Sequence, residues 1–224
     1  SWTAGAAVRY AATVGRILLF LLLLVAGAIV ASGLLSGPLV WMVGRTGQRM
    51  RIDMFVELAA ALAATAVMLR LVDRRAWADV GLGRSAASLR PMATGWCIGV
   101  AAIGLSCAIL AATGLLRFVP AEAGGSWAGA ALRVTLVLIP AALAEEIVCR
   151  GYLLTVVRDR VGVTGAVLLT SLMFGLLHLQ NAGSTVESVA LVTLAGIFLA
   201  AVRVVLSRLY AAWMAHLAWN WVMA

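Results

Sequence analysis

Residues 14–35 read VGRILLFLLLLVAGAIVASGLL, an apolar run whose one charge, Arg16, lies near its start. About 20 such residues cross the roughly 30 Å of bilayer hydrocarbon as a helix, which satisfies its own backbone hydrogen bonds there. Six further stretches qualify: 53–72, 92–116, 128–156, 162–181, 186–203 and 207–223. The expectation is an all-α, polytopic membrane bundle of about seven transmembrane helices. The fourth span is longer than a bilayer requires and carries Pro140, so a tilt or kink is expected there. The first run is followed by further spans and not by a cleavage site, so it is expected to stay as a helix.

Composition agrees. The chain is 64% hydrophobic and 12% charged, with mean hydropathy +1.06, far from a soluble domain. Every basic residue is Arg and alanine is abundant, which points to a bacterial protein of the cytoplasmic (inner) membrane. The net charge of +8 does not suggest nucleic acid as a partner, because the arginines are scattered between apolar spans. The polar connections include 44–53, 73–91, 119–126 and 158–160; the segment 36–52, with PLVWMVG, is a candidate interfacial or re-entrant helix. With seven spans, one side collects Arg9, Arg16, Arg70, Arg74, Arg75, Arg84, Arg90, Arg158, Arg160, Arg203 and Arg208. The other collects only Arg45, Arg49, Arg51 and Arg117. The arginine-rich side, and with it the N-terminus, is therefore expected in the cytoplasm. Cys97, Cys107 and Cys149 lack metal or redox spacing and read as buried small hydrophobes.

Polar groups at depth are few. ALAEEIVCRGYLL (142–154) puts Glu145, Glu146 and Arg150 into the fourth span, although a charge at mid-bilayer costs roughly 2.5–3.5 kcal/mol. His178 with Asn181 falls in the fifth span and His216 with Asn220 in the seventh. Glu146 and Arg150 are i and i+4 with the acid first, the favourable order for an intrahelical ion pair. Glu145 lies about 100° around the helix and is left free to react. Phe174, His178 and Asn181 share one helical stripe, and His216 and Asn220 another. One carboxylate, two imidazoles and one or two amides facing a common cavity suit hydrolysis: water activation by acid and imidazole, oxyanion stabilisation by imidazole and amide.

At these residues the chain resembles the CAAX protease and bacteriocin-processing (CPBP, or Abi) intramembrane proteases, which include the type II CAAX prenyl endopeptidases. The motif EExxxR is EEIVCR (145–150), FxxxH is FGLLH (174–178) and HxxxN is HLAWN (216–220). The resemblance covers about residues 127–224, so 127–224 reads as the catalytic core and 1–126 as the family's variable N-terminal helices. It implies that Glu145 and His178 activate water and that His216 and Asn220 stabilise the tetrahedral oxyanion. Glu146 and Arg150 match positions that look structural. The expected substrate is a membrane-embedded or membrane-proximal peptide or protein segment.

Other readings stand beside this one. Glu146 and Arg150 could bind substrate directly; Phe174 packs the cavity wall or touches substrate; Tyr152 supports the site or faces headgroups. Trp213, Trp219 and Trp221 read as lipid-facing or interfacial anchors, with Trp219 also placed to wall the cavity, and Gly95 and Gly99 as packing contacts. No cofactor is expected, the alternative being zinc on Glu145, His178 and His216. A non-proteolytic immunity or scaffold protein of the same fold is the competing function. A proton-coupled transporter would call for inverted repeats, which the sequence does not show.

Overall fold

The computed structural model describes residues 4–44, 53–117, 119 and 126–223. Helix α1 spans Ala4–Gly44, and α2 spans Asp53–Val67 and runs on as a π-helical turn, Met68–Asp73. After α3 (Leu89–Ala112), α4 (Trp127–Glu146) passes into a second π-helical turn, Ile147–Leu153, and then α5 (Leu154–Leu177). Helices α6 (Val186–Leu206) and α7 (Leu209–Met223) complete the bundle. There is no strand among the described residues. Hydroxyl caps set two starts: Ser126 accepts from the Gly129 N–H and Thr185 from the Ser188 N–H.

The arginines at 45, 49 and 51 and most of the connection 119–126 lie outside the described residues. PLVWMVG (38–44) is not a separate interfacial helix; it continues α1 through Pro38. By length and composition, Ala7–Pro38, Asp53–Asp73, Leu89–Ala112, Trp127–Gln180 and Val186–Leu206 are able to cross a membrane. Helix α7, with 15 residues, falls below the usual span length. The bundle is thus the expected one, with five stretches long enough to cross by this measure where seven were expected.

The stretch Trp127–Gln180 is not one rod. A straight helix would part Arg150 and Phe174 by about 36 Å, yet the Arg150 guanidinium lies 4.2 Å from the Phe174 ring centroid. The chain doubles back at Gly162, whose φ of 77° and ψ of 177° suit only glycine. Helix α4 and the later part of α5 therefore form a hairpin with a one-residue corner. Pro140 sits buried inside α4 without ending it, and the irregularity falls on the π-helical turn just beyond Glu146.

Small residues set the remaining approaches. Helix α3 packs chiefly on α7, where a Cβ on Gly95 would collide with the Ala211 carbonyl and one on Gly99 with the Ala215 carbonyl. The core joins α1, α2, α4 and α5 through Phe20, Ala61, Ala64, Met68, Ile147 and Phe174. Tyr152 does not face headgroups. It is buried, stacks on Phe20 at 4.5 Å and donates to Asp73 at 2.8 Å, while Arg16 reaches the other oxygen of Asp73 at 3.3 Å.

Two sequence readings need correction. Only Cys149 is buried, whereas Cys97 is exposed on α3 and Cys107 is half-buried, because thiols on a lipid-facing helix surface need no cover. Trp213 and Trp221 turn their N–H groups inward, to the Ile139 carbonyl at 3.1 Å and the Thr135 hydroxyl at 3.0 Å, so they tie α7 to α4. In an apolar surround an indole N–H is drawn to the nearest acceptor.

Replacing Gly99 by Val should force α3 from α7 and cost about 1–3 kcal/mol, as overpacking does. Thermal unfolding in detergent would read this as a clear drop in midpoint. Cys97→Val, on the exposed face of the same helix, should leave the midpoint unchanged.

Candidate active site

Glu146 and Arg150 are both wholly buried, and Arg150 Nη1 donates to Glu146 Oε1 at 3.0 Å. The second arm of the guanidinium donates to the Gly196 carbonyl on α6 at 3.1 Å, and its flat face covers the Phe174 ring. Gly196 permits that approach: a Cβ there would lie 3.0 Å from Ser171 and 3.3 Å from Arg150 Nη2. The same Glu146 oxygen is 3.0 Å from His216 Nδ1 on α7. With Arg150 as its counter-charge, Glu146 accepts, so His216 Nδ1 is the donor.

Glu145 points elsewhere, as the helical angle requires. Its side chain is about one-third exposed, yet Oε2 is sealed and without a hydrogen-bond partner, 3.8 Å from His216 Nε2. His178 closes the C-terminal end of α5, where its Nδ1 donates to the Phe174 carbonyl at 2.8 Å. A carbonyl only accepts, so in neutral His178 the lone pair is on Nε2. Ser184 fixes this end by donating to the His178 carbonyl at 2.6 Å. The Phe174 ring lies 4.6 Å from the His178 ring and 6.0 Å from that of His216.

A cavity of about 210 Å³ is lined by Glu145, His178, His216 and Asn220, with Phe174 and Trp219 in its wall. Trp219 packs on Phe198 at 5.8 Å and walls the site instead of anchoring in lipid. A larger cavity of about 570 Å³ shares Glu145, Phe174 and His178 and extends past Cys149 to Leu24, Val25 and Ala28 of α1 and Glu57 of α2. Asn181 lines only this larger cavity. Helix α5 has ended by then, and a 3-10 turn followed by extended backbone takes Asn181 off the stripe expected from i, i+3 spacing.

As for zinc, no three His, Cys, Asp or Glu side chains are gathered to hold an ion among the described residues. His178 and His216 each bond the protein through Nδ1 and leave Nε2 open, which a metal-bound imidazole also does, so it is the lack of a third gathered donor that decides the fit. As they stand, these side chains do not form a coordination sphere.

Sequence reasoning paired Glu146 with Arg150 and missed its bond to His216, which needed the packing of α7 on α4. It also missed the Gly196 carbonyl, which no side-chain pattern reports. A Tyr in an apolar span and the acid at the end of the second span were a usable signal for Tyr152 and Asp73.

A motif-spaced set of acid and imidazole side chains lining a cavity inside an apolar helical bundle marks the chain as a polytopic membrane protein with a polar internal site. Residues 126–222 match the family model described as type II CAAX prenyl endopeptidase Rce1-like, so this segment is similar to that family, and the five long apolar stretches are those of an integral membrane protein. Comparison with curated proteins and with solved structures gave no match.

Arg150→Met should strand the Glu146 charge and cost about 3–5 kcal/mol of stability. The double variant Glu146→Leu/Arg150→Met should recover much of the unfolding midpoint. It should not recover peptide hydrolysis, because His216 then lacks the acceptor that orients it.

Proposed function

We propose that the protein is an intramembrane endopeptidase that hydrolyses peptide bonds by direct attack of water, without a metal. The observation that carries this is the 210 Å³ cavity onto which Glu145, His178, His216 and Asn220 converge, with Glu145 Oε2 and His178 Nε2 uncommitted. Glu145 takes a proton from a water that His178 Nε2 helps to orient, and the hydroxide adds to the scissile carbonyl carbon. The oxygen of the tetrahedral adduct accepts hydrogen bonds from the Asn220 amide and from His216. To donate from Nε2 as well as Nδ1, His216 carries both ring protons, and Glu146 at 3.0 Å is the counter-charge for that form. Collapse of the adduct breaks the C–N bond, and the proton held by Glu145 passes to the leaving amine.

The substrate is a peptide or protein segment that reaches the site from the membrane through the larger, mostly apolar cavity between α1, α2 and α5. Leader peptides, bacteriocin precursors or membrane-anchored regulators fit such a route in a bacterial inner membrane, with the N-terminus and the arginine-rich ends in the cytoplasm. Nucleic acid has no place in this reading.

Purified protein in liposomes, offered a library of membrane-proximal peptides, tests it. Glu145→Gln or His178→Ala should lower kcat by about 10²–10⁴, and Asn220→Ala by about 10²–10³. A strong zinc chelator should leave the wild-type rate unchanged. Loss of cleavage to chelator with recovery on added zinc would overturn the metal-free mechanism.

A further inference from the structure

Arg203, near the end of α6, is a buried residue, 7% exposed, that pairs with no carboxylate among the described residues. Its Nε is fully buried without a hydrogen-bond partner. The group lies flat against Gly81: a Cβ there would stand 2.6–2.9 Å from its Nη2, Cζ and Nε atoms. Gly81 has φ of 83°, and its carbonyl accepts from the Leu209 N–H at 3.3 Å, so the turn that covers Arg203 is pinned to the start of α7. The protein has thus shaped a backbone turn around a cation and left the cation's charge unanswered.

The neighbouring charges deepen the deficit. Those whose fields reach Arg203 are Arg158 and Arg208, both cations, and Glu146. Glu146 is already divided between Arg150 and His216. The acid beside Arg158 on α5, Asp159, is held by Arg75 at 2.6 Å, with Arg158 at 3.5 Å. That hydrogen bond to Asp159 raises the Arg75 guanidinium above its ordinary pKa. Arg208 donates only a long bond, 3.4 Å, to its neighbour's carbonyl. Burying a cation without a counter-charge costs several kcal/mol, and two more cations add repulsion.

We propose that Arg203, with Arg158 and Arg208, binds the phosphate of an anionic phospholipid headgroup at the arginine-rich end of the bundle. A phosphate supplies what this place lacks: negative charge and acceptor oxygens matched to guanidinium donors. Between helices at a membrane surface, the available phosphate is a lipid headgroup, with its acyl chains lying along the apolar helix flanks. Free phosphate shares the chemistry but not the tethering. The site stands apart from the peptidase cavity, whose lining includes none of these three arginines.

The full chain, purified in a neutral detergent, would be titrated with dioleoyl phosphatidylglycerol, dioleoyl phosphatidylcholine or inorganic phosphate, and bound molecules counted by native mass spectrometry. Phosphatidylglycerol should be retained at least five-fold more tightly than phosphatidylcholine. Arg203→Gln should lower that retention by about five-fold or more, in line with the contribution of one arginine near anionic lipid. The double variant Arg158→Gln/Arg208→Gln keeps the buried residue and should show a similar loss, so the test survives if Arg203→Gln misfolds. Inorganic phosphate bound in an Arg203-dependent way, with no preference between the lipids, would uphold the phosphate site and assign its source to solution. Equal retention of both lipids with no phosphate bound would overturn the proposal. So would unchanged retention in variants that keep the wild-type unfolding midpoint.

Discussion

A carboxylate sealed inside a bundle must have its charge answered where it sits, and Glu146 organises the structure around that demand. One oxygen, Oε1, receives both Arg150 and His216. Arg150 in turn reaches the Gly196 carbonyl and the Phe174 ring. One buried charge thereby draws α4, α5, α6 and α7 to a point. No lysine could replace Arg150, since a point charge cannot donate in two fixed directions while stacking on a ring. The network adds little net stability, because desolvation offsets much of the attraction. Its effect is positional: it fixes where His216 stands relative to Glu145.

Small residues let the helices come close enough for those bonds to form. Gly196 opens α6 to Arg150, and Gly95 and Gly99 bring α3 onto the helix that carries His216. Lipid supplies no hydrophobic drive between helices, so close packing has to supply the attraction. The π-helical turn after Glu146 gives the first-motif helix a local irregularity of the kind that often marks a functional site.

Much of this was legible in the residues. Apolar runs separated by arginine-bearing turns announced the bundle, because the bilayer sets one length and forbids uncompensated charge. The spacing of Glu146 and Arg150 announced their ion pair, and the isolation of Glu145 followed from the helical angle. What was hidden depends on tertiary contact. That Glu146 would serve His216 required knowing which face of α7 meets α4. That Asn181 would leave the His178 stripe required knowing where α5 ends, a choice made by Ser184 and a 3-10 turn. The indole bonds of Trp213 and Trp221 to α4 were hidden because tryptophan on a short helix suits a membrane interface and an acceptor on the next helix equally well.

The one-residue corner at Gly162 has a consequence for how the cavity is assembled. Glu145 and His178 sit on the two sides of a segment that doubles back through a single glycine. His216 and Asn220 ride on α7, which packs against α3, α4 and α6 and bonds α4 through the Glu146–His216 hydrogen bond and two indole N–H groups. The cavity's two pairs of polar side chains, Glu145 with His178 and His216 with Asn220, therefore come from separate elements, and the Glu146–His216 hydrogen bond crosses the boundary between them.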